Sequence, residues 1–386
     1  MRHSLTPGAV GGLVQRGLGV LRLLARRGGV VALGHLRGVL ARGRAVAVGR
    51  GGLVVLLGHG CGHVCHTSHV QPTPDRVPIV AVVGATASGK TNLSLDLAER
   101  LGGEVVNTDA MQVYRGMDVG TAKLPVAERR GIPHHLLDTL DVRDPATVAQ
   151  FQDWARAAVS ELRAAGRTPV LVGGSALYTR AIVDRFEFPA TDAAVRERLE
   201  AELAEVGPAV LYERLRTLDP EAADRMLVEN GRRTVRALEV IEITGRPYSA
   251  SLPTLEYADP HTVQIGVDID RPTLDERIER RVDLMFEQGF VAEVERLLDQ
   301  GLAEGRTASV AIGYRDVVAH LRGELSLAEA RQRTVYATRR FARRQDGWFR
   351  KDPRIVWLRY DDPALADRAV DAARRALSAA GSILDA

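Results

Sequence analysis

A glycine-rich loop that follows a short apolar segment constrains this chain more than any other feature of its sequence. Residues 79 to 83 are all apolar, and the residues after them follow the pattern Gly-x-x-x-x-Gly-Lys-Thr. In such a loop, backbone N–H groups and the N-terminus of the next helix surround phosphate oxygens, the lysine adds a positive charge, and the threonine hydroxyl binds magnesium. The pattern therefore predicts a diphosphate or triphosphate site made of Gly84, Ala85, Thr86, Ala87, Ser88, Gly89, Lys90 and Thr91, with Thr91 as a ligand of Mg²⁺.

The composition is that of a globular protein. The chain has 386 residues and is 45% hydrophobic, which suffices for two domains with a substantial core. No apolar run approaches the ~18 residues of a membrane-spanning helix, so we expect a soluble, cytoplasmic protein without membrane contact. The two cysteines, Cys61 and Cys65, imply no disulfide framework, which agrees with a reducing compartment.

Residues 1 to 76 differ from the rest of the chain. They consist almost entirely of Gly, Val, Leu, Ala, Arg and His, and they carry a charge of +9, whereas the whole chain carries +3. This composition predicts a low-complexity extension that is disordered or is not part of the native protein. A metal site at Cys61 and Cys65 is one alternative, although the C-x-x-x-C-H spacing fits neither a zinc ribbon nor a haem attachment pair. An organellar transit peptide is the other.

An aspartate follows the second predicted strand. That strand spans Glu104 to Thr108 and places Asp109 at its carboxyl end. Ligands of open parallel sheets bind beyond the carboxyl ends of the strands, so we expect Asp109 to face the phosphate site. A role in a turn or as a helix cap is the alternative for a single aspartate in this position.

The segment from Asp109 to Lys123 resembles the signature of the tRNA dimethylallyltransferase family, also called tRNA isopentenyltransferase. The resemblance extends from about Val77 to Lys351. Each further segment is only weakly specific by itself, but the set in this order is specific. These segments are Gly131 to Leu136, Val172 to Tyr178, Arg236 to Gly245, Ala311 to Arg315 and Arg343 to Arg350.

The resemblance implies an activity and a set of RNA contacts. The activity is transfer of a dimethylallyl group from dimethylallyl diphosphate to the exocyclic amine of the adenine 3′ to a tRNA anticodon, with magnesium. Two residues depart from the family pattern, since Ser175 replaces the usual threonine and Gly231 an acidic residue. The implied tRNA contacts are Asp109, Ala110, Met111, Gln112, Ser175, Arg232, Arg233, Thr234, Val235, Arg236, Val310, Ala311, Ile312, Gly313, Tyr314 and Arg315.

The residues of the loop and the aspartate suit this chemistry. An aromatic amine loses a proton as the new bond forms, so Asp109 is the expected general base. The departing pyrophosphate gains negative charge, which the loop amides, Lys90, and Thr91 with magnesium would stabilise. Arg281 lies four residues after Arg277 on one helical face and resembles family residues that bind the diphosphate; ion pairing with acidic neighbours is the alternative. We therefore assign catalytic roles to Asp109, Lys90, Thr91 and Arg281.

The order of the predicted elements indicates an α/β fold, a P-loop parallel sheet flanked by helices with an inserted all-helical lobe. The core comprises residues 77–190, the helical insertion residues 191–258, and residues 259–386 return to the core and add basic C-terminal helices. We expect the lobe to lie over the carboxyl edge of the sheet. The predicted strand at 169–172 is not followed by the aspartate that supports the metal in many ATPases, which disfavours nucleotide hydrolysis.

Residues 331 to 351 form a basic segment. It holds eight basic residues and one acid, and aromatic residues lie between them. The charge suits an RNA backbone, and the aromatic side chains suit either stacking on bases or packing in the core, where we expect Trp348. The target adenine lies in a stacked loop and must be flipped into a pocket. We therefore expect the lobe and the basic helix to bind the RNA from two sides.

Three other functions are compatible with parts of this pattern. An adenylate isopentenyltransferase would use the same loop and aspartate with free AMP, but the arginine-rich segments 232–236 and 331–351 favour tRNA. A small-molecule or nucleotide kinase shares the strand and the loop but requires ATP as donor. A non-enzymatic RNA-binding module would need neither Lys90, Thr91 nor Asp109. We expect a monomer that binds the anticodon stem-loop of tRNA.

Overall fold

The computed structural model describes residues 37–41, 44–48, 54–56, 77–186, 188–189, 191–251 and 254–384. The chain divides into two units, one before Pro72 and one from Pro72 onward. In the first unit the described residues form an antiparallel sheet of β1 (Arg37–Ala41), β2 (Arg44–Val48) and β3 (Val54–Leu56). The composition did not predict these strands, and Cys61 and Cys65 lie outside the described residues.

The second unit alternates strands with helices. Its strands are β4 (Ile79–Val83), β5 (Gly103–Asn107), β6 (His134–His135), β7 (Thr168–Val172), β8 (Thr262–Asp268) and β9 (Ile355–Arg359). Its helices are α1 (Lys90–Leu101), α2 (Val148–Ala164), α3 (Ala176–Val183), α4 (Ala193–Leu218), α5 (Pro220–Asp224), α6 (Gly231–Thr244), α7 (Arg271–Glu287), α8 (Phe290–Asp299), α9 (Tyr314–Leu321), α10 (Leu327–Phe349) and α11 (Leu365–Leu384). None of the helices in the described residues is long and apolar enough to cross a lipid bilayer.

The large sheet is parallel throughout, in the order β6-β5-β7-β4-β8-β9. After the central strand β4 the chain moves to β5 on one side and returns through β7, and it later continues to β8 and β9 on the other side. Such a reversal leaves a crevice at the carboxyl ends of the strands, where open α/β sheets bind their ligands. The glycine loop begins in this crevice, and the parallel P-loop sheet predicted from the sequence is confirmed.

Helices cover both faces of this sheet. On one face, Leu97 of α1 and Val370 of α11 pack against Val82 of β4. On the other face, Phe151 of α2 and Ile182 of α3 belong to a larger core that also includes residues of α8 and α9. A strand that is buried on both faces reads as an uninterrupted apolar run, which is why residues 79 to 83 were predictable as a strand.

The inserted lobe, formed by α4, α5 and α6, has a hydrophobic core of its own. Leu199 and Leu215 of α4 are fully buried and pack with Leu238 of α6. Gly207 interrupts α4 with φ 78°, so Pro208 starts a second helical segment, as its position in the sequence predicts. The expected all-helical insertion is therefore confirmed.

The lobe joins the core shortly before the start of β8. The two chain segments that connect the lobe to the core, near Asp184 and Tyr257, form its neck. There Asp184 pairs with Tyr257, and the Arg185 N–H donates to the carbonyl of Glu256 at 2.9 Å. Because β8 begins shortly afterwards, at Thr262, this neck lies at the amino edge of the parallel sheet. This attachment does not fix the position of the rest of the lobe, so its location over the carboxyl edge stays a prediction.

Candidate active site

The glycine loop turns around the carboxyl end of β4 in a conformation that its glycines permit. Gly84 has φ 135° and Gly89 has φ 107°, values that residues with a Cβ rarely adopt. A Cβ on Gly84 would also lie 3.2 Å from the carbonyl oxygen of Val267. Helix α1 then starts at Lys90 without a side-chain cap, so its first N–H groups are available to an anion.

Lys90 is half-buried in this loop beside a second cation. Its Nζ donates a hydrogen bond of 2.6 Å to the carbonyl oxygen of Ala85. Burial and, secondarily, the charge of Arg281 lower the pKa of Lys90 to about 7, while the carboxylate of Asp109 opposes this shift. A diphosphate in the site would favour the charged form of Lys90, because an opposite charge stabilises an ammonium group.

Asp109 reaches the same site from the end of β5. Its Oδ1 accepts a hydrogen bond of 2.8 Å from the Met111 N–H, and its own N–H donates to Oδ1 of Asn107 at 2.9 Å. These bonds fix the turn that carries the carboxylate. Asp109 lines a cavity of about 210 Å³ together with Lys90 and Thr91. The loop and the aspartate, which are separate in the sequence, meet in one cavity as expected.

Two arginines of α7 approach the loop from the side of β8. Arg281 donates to Oγ1 of Thr86 at 3.2 Å, and Arg277 donates to the carbonyl of Ser88 at 3.4 Å. Burial lowers the pKa of Arg281. Neither guanidinium forms a salt bridge with a carboxylate of the described residues, so the alternative that they serve ordinary ion pairs on the helix is wrong.

Gln345 of α10 forms part of the cavity wall, and sequence analysis did not single it out. Its Oε1 accepts a hydrogen bond of 2.8 Å from the Thr86 N–H, and its Nε2 donates to the carbonyl of Gly174 at 2.9 Å. It therefore links the glycine loop, the turn after β7 and the basic helix. The only available sequence signal was its place inside the Arg343 to Arg350 segment.

The opposite wall of the cavity is formed by residues of the segment from Asp109 to Lys123, which we call the signature segment. Glu293 of α8 binds the backbone of this segment on the side that faces away from the cavity. The buried Glu293 carboxylate accepts hydrogen bonds from three successive backbone N–H groups at 2.7 to 3.1 Å and from the Tyr314 hydroxyl at 2.7 Å. On the cavity side, Gln112 donates to the carbonyl of Thr121 at 3.1 Å. The three backbone N–H groups that donate to Glu293 are those of Asp118, Val119 and Gly120. Glu293 thus shapes a wall of the cavity without lining it.

His134 also lines the cavity and was not predicted to do so. Its Nδ1 lies 2.9 Å from the carbonyl oxygen of Ile132, which requires that Nδ1 carry the proton. Burial lowers the pKa of His134. The imidazole is therefore neutral at neutral pH and offers Nε2 as a hydrogen-bond acceptor.

The residues implied as tRNA contacts differ in their exposure. The exposed ones are Arg232, Arg233, Val310 and Arg315; the half-buried ones are Asp109, Ala110, Met111, Gln112, Ser175, Arg236 and Ile312; the buried ones are Thr234, Val235, Ala311, Gly313 and Tyr314. The Tyr314 hydroxyl is bonded to Glu293 in the core, and Arg236 forms a salt bridge with Glu239 at 2.8 Å. The side chains of the buried group do not reach the surface, so the structure does not support direct side-chain contacts from them to RNA.

The basic residues of α10 and of the two positions after it fall into two groups. Three of them form salt bridges with acids, namely Arg331 with Asp283, Arg339 with Glu279, and Arg350 with Asp268. The others are exposed and form no salt bridge with any described carboxylate. With two exposed aromatic residues they lie on one side of the helix, because their spacings are mostly three and four. We call this surface the basic stripe: Arg333, Tyr336, Arg340, Arg343, Arg344, Trp348 and Lys351.

The expectation that Trp348 belongs to the core is wrong. Its side chain is 58% exposed, and the Lys351 ammonium lies 5.5 Å from the centre of its ring. The next residue, Phe349, takes the core position and is only 3% exposed. One step along a helix turns the side chain by about 100°, so the two neighbouring aromatics face opposite surroundings.

The oxygen donors of the cavity suit one kind of metal site. The described residues contain no cluster of three or more His, Cys, Asp or Glu side chains arranged to hold a metal. Thr91 and Asp109 nevertheless place a hydroxyl and a carboxylate in the same cavity. Mg²⁺ is usually held by one or two protein oxygens together with substrate phosphates and water. The residues therefore fit Mg²⁺ that arrives with a diphosphate.

Sequence comparisons find close relatives. The profile of a family described as IPP transferase matches residues 112–352. A tRNA dimethylallyltransferase of Nocardioides sp. is 79% identical over 301 residues, which cover 78% of this chain and 97% of that protein. One of Salinispora tropica is 60% identical over 284 residues, which cover 72% of this chain and 88% of that protein.

Solved structures agree with the sequence comparisons. The full-length tRNA isopentenylpyrophosphate transferase of Bacillus halodurans is 37% identical, with a TM-score of 0.59, and the match covers 80% of this chain and 99% of that one. A eukaryotic dimethylallyltransferase acting on tRNA is 26% identical, with a TM-score of 0.65, and the match covers 80% of each chain.

Proposed function

Because this chain belongs to the tRNA dimethylallyltransferase (IPP transferase) family, we propose that it transfers the dimethylallyl group of dimethylallyl diphosphate to the exocyclic amine of the adenine 3′ to a tRNA anticodon. The products are N6-dimethylallyladenosine and pyrophosphate. The observation that carries the proposal is the single cavity shared by the phosphate loop, Arg281 and Asp109. Such a cavity combines a diphosphate site with a proton acceptor.

The loop side of the cavity is suited to the leaving group. In the proposed reaction the amine nitrogen bonds to C1 of the dimethylallyl group, and the bond from C1 to the diphosphate oxygen breaks with its electron pair passing to that oxygen. The first N–H groups of α1, Lys90 and Arg281 surround the place where this negative charge grows. Fixed donors of this kind stabilise a transition state because they need no reorganisation during the reaction.

Asp109 is suited to take the proton that the amine loses. Its carboxylate lines the cavity, and its Oδ1 is held by the Met111 N–H at 2.8 Å, which limits its orientations. A general base must lie within hydrogen-bond reach of the proton that it removes. An adenine amine that enters the cavity beside the loop would meet this carboxylate.

We propose that Mg²⁺ accompanies the diphosphate. Thr91, at the first turn of α1, is the residue that would hold it, and Asp109 adds a carboxylate to the same cavity wall. When bound, Mg²⁺ would neutralise part of the charge on the leaving pyrophosphate.

The basic stripe of α10 supports an RNA substrate rather than a free nucleotide. Its arginines are exposed and unpaired with described carboxylates, and Tyr336 is 60% exposed among them. Binding to an RNA backbone requires several unneutralised cations, and exposed aromatic rings can stack on splayed bases. Free AMP would need neither. We further propose that the enzyme acts on tRNA as a cytoplasmic monomer.

A kinase is the second candidate because the sheet and the loop are shared with that class. Strand β7 is followed by Gly173 and Gly174, where many ATPases carry an aspartate that supports the metal. The two glycines have no carboxylate that could complete such a metal site. This difference favours a diphosphate as leaving group over a transferred phosphoryl group.

The experiment that tests the proposal compares acceptors and donors in parallel. The full-length protein is incubated with labelled dimethylallyl diphosphate and either an unmodified tRNA or AMP, and separately with ATP and nucleoside monophosphates. Mass spectrometry of the digested RNA should show N6-dimethylallyladenosine at the position 3′ to the anticodon. Modification of AMP alone, or phosphate transfer from ATP, would contradict the proposal.

A further inference from the structure

We propose that Gln345 is a positioning residue through which helix α10 sets the conformation of the phosphate loop. This inference rests on the proposed function, since it assigns diphosphate binding to that loop. Gln345 lies 259 residues from Thr86 in sequence, yet its Oε1 accepts the Thr86 N–H at 2.8 Å. Its Nε2 donates to the carbonyl of Gly174 at 2.9 Å. One side chain therefore ties the loop after β4 to the turn after β7.

The surroundings of Gln345 leave it little freedom. Its side chain is buried, and a Cβ added to Gly174 would overlap its amide nitrogen. A buried amide that loses its partners leaves polar groups unsatisfied. The glycine at 174 leaves room for the close approach of the Gln345 amide to the turn, and the two hydrogen bonds hold both loops in one relative position.

Thr86 is the point at which this link acts on the diphosphate site. Its N–H is bonded to Gln345, and its Oγ1 accepts from Arg281 at 3.2 Å. Two side chains from two different helices therefore form hydrogen bonds with the same loop residue. Arg281 also lines the cavity. Loss of the Gln345 bond would free the Thr86 peptide and loosen both the loop and the partner of Arg281.

The helix that carries Gln345 also carries the basic stripe. Arg343 and Arg344, which immediately precede Gln345, are exposed on that stripe, whereas Gln345 points into the core. A rigid helix whose one side binds RNA and whose other side holds the phosphate loop couples the two sites, because a shift that favours one contact changes the other. In the proposed arrangement the RNA-bound position of α10 is the one that holds Gln345 on Thr86, so RNA on the stripe should strengthen binding of a diphosphate.

The test measures this coupling in the full chain. Dissociation constants for inorganic pyrophosphate with magnesium are determined by calorimetry, with and without an unmodified anticodon stem-loop RNA. The variants are Gln345→Met, which keeps the volume and removes both hydrogen bonds, and Gln345→Ala. The control is Gln332→Met, on the same helix, whose side chain makes no hydrogen bond among the described residues. Thermal melting verifies that each variant is folded.

In the native protein, RNA should tighten pyrophosphate binding several-fold. Gln345→Met should weaken pyrophosphate binding roughly tenfold, as expected for a lost buried hydrogen bond, and should abolish the effect of RNA while the affinity for RNA alone changes less than about twofold. In steady-state assays the KM for dimethylallyl diphosphate should rise more than kcat falls. Gln332→Met should behave as the native protein does.

Two results would overturn the inference. Native coupling in both Gln345 variants would show that the link does not act on the loop, and an equal loss of RNA and pyrophosphate affinity would show that Gln345 only stabilises the fold. A failure of the proposed function is a separate result, because the native protein would then bind pyrophosphate and RNA without transferring a dimethylallyl group between them.

Discussion

The Nζ of Lys90 lies 2.6 Å from the carbonyl oxygen of Ala85, so this ammonium group is hydrogen-bonded to the loop in which it stands. Burial and the neighbouring Arg281 lower the pKa of Lys90 to about 7. The unfolded chain then binds more protons than the folded protein between about pH 7 and the unperturbed pKa, so the free energy of unfolding rises with pH in that window. The charge that is needed to hold an anion destabilises the protein when no anion is bound.

Lys90→Met should therefore stabilise the ligand-free protein. The gain should be on the order of 1–3 kcal/mol at pH 6, and it should decline as the pH rises from about 7 towards 10, where lysine becomes neutral in both states. Urea denaturation at pH 6 and at pH 9.5 measures the difference. A variant that is less stable than the native protein at pH 6 would contradict this reading of the site.

Lys123, which is buried, provides the contrasting case. Its Nζ donates to the carboxylates of Asp118 at 2.7 Å and Asp138 at 2.6 Å and to the carbonyl of Tyr114 at 2.9 Å. Lys123→Met removes a paired charge that fixes the signature segment, so it should destabilise the protein by about 1–3 kcal/mol. The same denaturation assay at pH 7 checks the sign, which should be opposite to that of Lys90→Met.

The affinity for pyrophosphate should fall as the pH rises above about 7. Below that value Lys90 is already charged in the free protein, and above it binding requires the uptake of a proton, which can cost up to about tenfold in affinity for each pH unit. Calorimetric titrations from pH 6 to 9 measure this dependence. Lys90→Met is the control, because the pH dependence of its affinity reflects only the titration of pyrophosphate. If the affinity of the native protein changed with pH in the same way as that of Lys90→Met, the prediction would be contradicted.

Arg281 and Arg277 should differ in their importance although both reach the loop. Arg281 lines the cavity and donates to Thr86, whereas Arg277 stacks on the ring of Tyr360 at 4.6 Å. Arg281→Ala should lower kcat/KM by about 10²–10³-fold, as for loss of one donor to a developing negative charge. Arg277→Ala serves as the matched control and should cost less than about tenfold. Equal losses in steady-state assays would contradict the separate role of Arg281.

The basic stripe should account for much of the salt dependence of RNA binding. Changing Arg340 and Arg344 together to Ala should reduce the slope of log K against log salt by about 1.5, since each contact with a single-stranded phosphate contributes about 0.7. The control changes Arg374 and Arg375 of α11, which are also exposed, by the same charge. Filter binding of tRNA at several salt concentrations measures both slopes, and equal slopes in the two variants would exclude the stripe as the RNA surface.

The sequence predicted what depends on local spacing. The loop from Gly84 to Thr91 requires only eight consecutive residues, and the position of Asp109 follows from the end of one strand, so both were found in the expected cavity. Gln345 could not be found in this way, because its partners are Thr86 and Gly174 and no local pattern records such distant contacts.

The features that were not predicted have physical reasons of the same kind. Trp348 was expected in the core because it is aromatic, but its position along α10 turns its side chain to the exposed side. Phe349, the next residue, is buried instead. The sequence predicted the helical insertion at residues 191–258, but not that Asp184 and Tyr257, which flank it, pair near the start of β8. Both outcomes depend on tertiary packing.

The account as a whole requires that Asp109 accept the proton of the adenine amine. Asp109→Asn keeps the size of the side chain and an oxygen for the Met111 N–H, so the turn and the cavity should be preserved. Single-turnover transfer of labelled dimethylallyl groups to saturating unmodified tRNA measures the chemical step, and filter binding measures tRNA affinity in the same preparation. The account predicts a rate about 10²–10⁴-fold lower with tRNA affinity within about twofold of the native value. A variant that keeps more than about a tenth of the native rate would contradict it.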